Sequence, residues 1–204
     1  MKFKSKGLER IYTVVFMMVV TLIFITVTSG IYLFTREKII VNRTLFIKRA
    51  VLNACDIQIS KNGSGAEVEK LYSERIREIV NSSGKLKYMK VFDTDNKLAG
   101  YALIVKGPGL WGEIEAVIGF TKDLKRITGI NFIKQNETPG LGARISENWF
   151  KEQFRGREGP FKLVPEGTAK GKNEIDAITG ASITSNAVLD MVNEAFQKIG
   201  TLVK

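Results

Sequence analysis

The feature that most limits what this chain can be is an unbroken, uncharged run from Ile11 to Phe34, IYTVVFMMVVTLIFITVTSGIYLF. As a helix rising about 1.5 Å per residue, it outreaches the roughly 30 Å hydrocarbon core of a bilayer. Tyr12 and Tyr32 stand near its ends, where amphipathic rings favour the membrane interface. A secretory signal has a shorter apolar region, about 7–15 residues, followed by a small-residue cleavage site. Here the run passes directly into Thr35-Arg36-Glu37-Lys38. The expectation is a retained single span at 11–34, preceded by a basic tail at 1–10. Basic residues flank the span on both sides (Lys2, Lys4, Lys6 and Arg10 before it; Arg36, Lys38, Arg43, Lys48 and Arg49 after it), so their count leaves orientation open.

The same flanks explain the net charge of +10. A basic surface invites nucleic acid, yet the excess sits around the span and the rest of the chain is nearly balanced. The charge therefore suits anionic lipid headgroups, and no nucleic-acid partner is expected. The chain has no histidine and one cysteine, Cys55. This excludes Ser-His and Cys-His nucleophile pairs, imidazole metal sites, an intramolecular disulfide and a thiolate zinc site. No metal site and no catalytic residue are expected.

Thr35 to Leu52 continues in helical pattern, with Ile39, Ile40, Phe46, Ile47 and Leu52 as an irregular apolar stripe. It reads as a juxtamembrane helix or stalk within 35–60. Lys61-Asn-Gly-Ser-Gly65 reads as a flexible joint opening a domain at 61–204. Glu67–Val80 reads as a helix, with Val68, Leu71, Tyr72, Ile76 and Ile79 on one side. Four strands follow, at Tyr88–Phe92, Leu98–Val105, Glu113–Phe120 and Arg126–Lys134, with connections too short for crossover helices, so an antiparallel meander is expected. Ser146–Phe154 reads as a short helix capped by Ser146, Phe161–Val164 as a strand, and Thr184–Ile199 as an amphipathic helix. The fold class is α+β: an antiparallel sheet flanked by helices, behind a single N-terminal transmembrane helix.

Three segments stand out chemically. Asp176-Ala-Ile-Thr-Gly-Ala-Ser-Ile-Thr-Ser185 gathers four hydroxyls just before the last helix. A helix N-terminus suits a phosphate, which a hydroxyl can bond or be esterified by; equally, such residues simply cap helices. Asn136-Glu-Thr-Pro-Gly-Leu-Gly-Ala-Arg144 is a stiff loop suited to packing on a flat ligand, or an ordinary turn with a buried leucine. Gly107-Pro-Gly-Leu-Trp-Gly112 offers Trp111 as a core anchor or as the wall of an aromatic pocket.

Taken together, ETPGLGAR, the upstream GPGLWG and the downstream DAITGASITSNAV resemble the FMN-binding subunits of ion-translocating respiratory oxidoreductases. These are the C subunit of Na⁺-translocating NADH:quinone reductase (Nqr) and the G subunit of the Rnf complex. The resemblance spans the whole chain, with the membrane span, juxtamembrane helix and motifs in the same order. It implies that a flavin transferase esterifies the FMN phosphate to Thr184, the last residue of Thr179-Gly180-Ala181-Ser182-Ile183-Thr184, with Ser182 as the rival hydroxyl. Thr179 and Ser182 stand where serine and threonine are commoner, and Ala177 where glycine is frequent. Asp176 matches the acidic residue thought to be needed by the transferase. By the same resemblance Glu137, Thr138, Gly140, Leu141 and Gly142 line the flavin, and Leu110 and Trp111 approach its ring. Lys134 and Arg144 are placed to offset phosphate or reduced-flavin charge.

The implied role is electron relay by covalent FMN within a larger membrane complex that includes iron–sulfur and other flavin subunits. The domain would stand on the extracytoplasmic face of the cell membrane. No nicotinamide motif is present, so no independent catalytic activity is expected, and the uncharged span is an anchor rather than an ion path. GLWG leans toward the Nqr type and the chain length toward the Rnf type. The alternatives are a stand-alone anchored flavoprotein serving an extracytoplasmic acceptor, and a non-catalytic anchored binding or sensor domain.

Overall fold

Side-chain alternation along the central strands decides the architecture of the domain. In β4 (Glu113–Thr121), Ile114, Ala116, Ile118 and Phe120 enter one apolar cluster while Val117 enters another. In β3 (Leu98–Pro108), Tyr101, Leu103 and Val105 join the first cluster and Ala102 the second. Residues two apart share a face, so strands apolar at both parities must be covered on both sides.

The computed structural model of the chain describes residues 6–60 and 63–203. The first five residues of the basic tail and the first two of the Lys61–Gly65 joint lie outside the described residues. Helix α1 runs unbroken over Lys6–Ala54, and two compact units, Met1–Thr44 and Leu45–Lys204, divide within it.

In the first unit the apolar side chains from Ile11 to Phe34 are largely exposed, and the helix is long and apolar enough to cross a membrane, with a peak mean hydropathy of 2.5. Its threonines carry no unmet hydroxyl into that environment. Thr13, Thr21, Thr26, Thr28 and Thr35 each donate to the carbonyl four residues back at 2.7–2.9 Å. Such bonds let a polar side chain sit in hydrocarbon without water.

The second unit is built on a five-stranded sheet in the order β1-β2-β3-β4-β5, antiparallel throughout: β1 (Ile76–Val80), β2 (Leu86–Phe92), β3, β4 and β5 (Ile127–Lys134). The expected meander is present, with one more strand than expected. The helix anticipated over Glu67–Val80 stops early: α2 covers Gly65–Arg75, and Ile76–Val80 is β1, paired with β2 from Ile76–Val91 onward. The i, i+3 spacing of Ile76 and Ile79 fits a helix, but β-branched residues beside an open sheet edge gain more by pairing.

One face of the sheet is covered by α4 (Ser182–Leu202), α3 (Asn148–Glu152) and the chain between them; Phe150, Phe154, Phe161 and Phe196 form a run of edge-on and tilted ring contacts there. The other face is covered by α2 and the last turns of α1, with Ala50, Val51, Leu52 and Ala54 buried. The segment expected as a stalk thus ends as a core element. Thr128 Oγ1 donates to the Ala54 carbonyl at 2.7 Å, and Gly129 leaves room for that close approach: a Cβ there would lie 2.9 Å from the same oxygen.

The expected joint is pinned where it is described. Ser64 caps α2 on the Glu67 N–H, Arg49 donates to the Gly63 carbonyl, and the Ser60 hydroxyl bonds Glu67. Between β5 and α4 lie a 3-10 turn (Gly142–Ser146), α3, and two short parallel strands, β6 (Lys162–Val164) and β7 (Glu174–Asp176). Ser146 closes the 3-10 turn rather than capping a helix; α3 follows Glu147 without a side-chain cap.

Candidate functional site

The three segments singled out in the sequence converge at one end of the sheet. The β3–β4 hairpin brings the first. β3 and β4 pair as far as Pro108 and Glu113, and the tip Gly109-Leu110-Trp111-Gly112 closes on a Gly109 N–H to Gly112 carbonyl bond of 2.7 Å. Both tip glycines sit close to the neighbouring loop, and Gly109 is required by crowding, since an added Cβ would lie 2.8 Å from the Gly112 carbonyl oxygen. A Cβ on Gly109 would lie 2.5 Å from Glu137 Oε1, and one on Gly112 would lie 3.2 Å from Asn136 Nδ2. The tip therefore rests on the second segment, the loop leaving β5.

In that loop the Thr138 carbonyl accepts from Leu141 and Ala143 at 3.1 Å each, and Gly140 takes a positive φ of 74°. The turn folds Gly142 back over the start of α4, the third segment. A Cβ on Gly142 would stand 2.7 Å from Thr184 Oγ1 and 2.8 Å from Glu137 Oε2. Leu141 leans on Gly180, whose added Cβ would lie 3.1 Å from Leu141 Cδ2.

At the junction is a buried polar pair. Thr184, 1% exposed, donates its hydroxyl to Glu137 Oε2 at 2.5 Å. Glu137, 5% exposed, accepts the Trp111 N–H on Oε1 at 3.0 Å. One carboxyl group thus joins all three segments, and both of its oxygens are satisfied, as burial of a polar group demands.

Around the pair, large apolar side chains face outward: Trp111 is 67% exposed and Ile183 62%, with Leu110 and Leu141 also exposed. Neither Trp111 as a core anchor nor Leu141 as a buried turn leucine is what forms. The α4 N-terminus also differs from a plain capping arrangement. Its N-cap is Ala181, and no side chain caps it. Ser185, the last of the four hydroxyls, accepts the Ile178 N–H and donates to the Ala181 carbonyl, each at 3.0 Å, stapling the preceding turn. Ser182 is exposed and its hydroxyl makes no hydrogen bond among the described residues.

Glu166, which no motif flagged, holds the site from a third side. Its carboxylate accepts the Thr179 N–H at 2.7 Å and the Arg144 guanidinium at 3.1 Å. The Thr179 backbone and side chain, with Arg144 beside them, hold its acidity at a pKa of about 2. Arg144 also lies 3.6 Å from Glu147 and stacks over Trp149 at 5.0 Å, so two carboxylates already face its charge. Asp176 has a local structural task, its Oδ1 accepting Thr168 and Ala169 N–H groups at 2.9 and 2.8 Å. That holds the loop carrying Glu166. Lys134 is exposed at the end of β5. Thr138, Thr179 and Gly180 are placed around the rim, and Ala181 is buried beneath it.

This geometry can now be set beside known proteins. The FMN-binding domain family matches residues 109–197, which begin at the hairpin tip and run through most of α4. The G subunit of the Na⁺-translocating ferredoxin:NAD⁺ oxidoreductase complex of Acetobacterium woodii is 38% identical, covering 68% of this chain and 70% of that protein. The G subunit of the proton-translocating ferredoxin:NAD⁺ oxidoreductase complex of Clostridium ljungdahlii is 30% identical, covering 78% and 87%. Among solved structures, the C subunit of the Na⁺-translocating NADH-quinone reductase of Parabacteroides distasonis superimposes with a TM-score of 0.66 at 25% identity, covering 83% of this chain and 96% of that one. The chain belongs to the family of FMN-binding subunits that includes the G subunits of the ion-translocating ferredoxin:NAD⁺ oxidoreductases and the C subunits of the Na⁺-translocating NADH-quinone reductases.

Proposed function

We propose that this chain is a membrane-anchored electron-transfer subunit whose FMN is esterified through its phosphate to Thr184. The observation that carries this is the buried Thr184–Glu137 pair beneath the exposed rim of Leu110, Trp111, Leu141 and Ile183. The residues fit such a group. The first N–H groups of α4 have no side-chain cap and are open to a phosphate, which a helix N-terminus favours. Gly142 and Gly140 allow backbone to approach the anchor, and the apolar rim offers a surface for a flat ring. When bound, the flavin supplies the redox chemistry.

The protein's own residues hold, orient and shield. Thr184 fixes the phosphate end, Glu137 ties the hairpin tip to the α4 start, and Leu110 and Trp111 exclude water from one side. Glu166 and Arg144 keep the Thr179–Gly180 turn in place. No acidic group lies within 11–34, so that segment is an anchor and ion movement belongs to other subunits. Those subunits, with iron–sulfur and flavin centres, are the partners, together with membrane lipid and a maturing flavin transferase. The domain is assigned to the extracytoplasmic face, where an ester bond prevents loss of FMN. The ferredoxin-linked type is favoured: the A. woodii protein is more similar over more of this chain (38% over 68%) than its Neisseria meningitidis quinone-reductase counterpart (31% over 54%).

The test is a denaturing gel of the protein coexpressed with a flavin transferase. A fluorescent band is expected in the wild type and in Ser182→Ala, and none in Thr184→Ala. Fluorescence that persists in Thr184→Ala and vanishes in Ser182→Ala moves the ester to Ser182. Absence of any covalent flavin in the wild type removes the proposal. Copurification from native membranes with iron–sulfur subunits is the expected result for the assembled complex.

A further inference from the structure

We propose that Glu137 is the proton acceptor in the esterification of Thr184, so that the protein being modified contributes a catalytic group to its own modification. The proposal rests on the Thr184 ester just described.

A threonine hydroxyl is a weak nucleophile and needs a base within hydrogen-bond reach. The chain has no histidine to serve. Glu137 Oε2, at 2.5 Å, is the hydrogen-bond partner of Thr184 Oγ1. Its orientation is fixed from behind. Oε1 is occupied by the Trp111 N–H at 3.0 Å, and the Glu137 N–H itself bonds Gln135 Oε1 at 2.7 Å. A carboxylate held on one oxygen and presented to a hydroxyl on the other is the arrangement of a positioned general base. Ser182, two residues earlier, is more accessible but has no such partner among the described residues. Exposure would select Ser182; activation selects Thr184.

The hydroxyl is covered by Gly142, and the turn between Glu137 and Gly142 contains Pro139 and the positive-φ Gly140. Displacing Leu141 and Gly142 bares Oγ1 from the rim side, while Glu137, before the turn, stays on the Trp111 N–H. Thr184 Oγ1 then attacks the phosphorus of a flavin phosphoanhydride. The Oγ1–P bond forms as the P–O bond of the anhydride breaks, and the electron pair leaves with the departing phosphate. The hydroxyl proton passes to Glu137 Oε2 and from there to that phosphate or to water. Nothing is oxidised or reduced. An anhydride is required because ester formation from free FMN would have to expel water into water.

The experiment is the rate of covalent flavin incorporation into the purified full-length protein, with a flavin transferase and FAD as the anhydride probe. It is read by in-gel fluorescence and by a mass gain of FMN less water. Glu137→Gln keeps a hydrogen-bond acceptor and the shape of the side chain but cannot take the proton. General-base catalysis typically contributes about 10²–10⁴-fold, and a loss of that size is expected. Glu137→Asp, which keeps a carboxylate on a shorter side chain, should recover part of the rate that Glu137→Gln loses. Incorporation into Glu137→Gln at the wild-type rate overturns the proposal. So does a Glu137→Asp rate no higher than that of Glu137→Gln, which means that Glu137 only positions the hydroxyl. If Glu137→Gln melts far below the wild type, the three rates are compared at a temperature where the wild type, Glu137→Gln and Glu137→Asp are all folded, and the same two outcomes decide. Loss of flavin in Thr184→Ala with full incorporation in Glu137→Gln leaves the ester assignment standing and removes only the base.

Discussion

Glu166 shows how much a single unflagged residue holds in place. It joins Thr179, at the start of the hydroxyl-rich motif, to Arg144, at the end of the loop leaving β5. Its pKa is held at about 2, first by the Thr179 N–H, then by the Thr179 side chain and Arg144. A carboxylate whose folded pKa is depressed stabilises the fold fully above its unfolded value, and that stabilisation is lost as the pH falls through the folded value. The melting temperature of the wild type should therefore exceed that of Glu166→Gln by a constant margin above about pH 5. The margin should shrink between the usual carboxylate range and about pH 2. A margin unchanged down to that acidity would mean that the carboxylate is not engaged. Nothing in Pro165-Glu166-Gly167 distinguishes it in the sequence from an ordinary turn; its meaning comes only from partners reached across the fold. Thr184 and Glu137 were legible as members of motifs, but their contact was not, because they lie 47 positions apart.

At the scale of elements, patterning revealed most of the sheet and missed its first strand. Leu98–Pro108 and Glu113–Thr121 are short, largely apolar runs bounded by turns, so their strand character is local. Ile76–Val80 carries a helical spacing and becomes a strand because β2 offers it a ladder. Glu174–Asp176 is too short to leave a periodic trace and exists through pairing with β6. The end of α1 teaches the same lesson about glycine. Gly129 reads in isolation as a weak point in a strand, yet it is where the helix backbone comes close to the sheet. Gly129→Ala places a methyl 2.9 Å from the Ala54 carbonyl oxygen, and overpacking of this kind costs about 1–3 kcal/mol. Urea denaturation should show a lower midpoint with an unchanged slope; an unchanged midpoint would show that the helix end does not bear on the sheet.

For the whole molecule, the division of the chain follows from what covers the sheet rather than from where glycines fall. The compact unit begins at Leu45, ahead of the expected domain start at 61, because Ala50, Val51, Leu52, Ala54 and Ile57 close one apolar face. A chain begun at Leu45 should melt cooperatively near the full-length temperature. One begun at Lys61 leaves that face open. With roughly 1.5–3 kcal/mol for each large apolar side chain removed from it, the chain should aggregate or melt much lower. Equal melting of the two would refute the role given to the end of α1.

The outward setting of Trp111 has an optical consequence. The chain holds only two tryptophans. Trp149 is half-buried beneath the Arg144 guanidinium, with its indole N–H bonded to Glu147. The long-wavelength component of the ultraviolet emission therefore belongs to Trp111, whose ring stands in water beside the proposed esterification site. A yellow chromophore attached there as proposed would absorb where an indole emits, so the unlabelled protein would carry its own gauge: the dimming of its tryptophan emission would report, in real time, how far the attachment has gone.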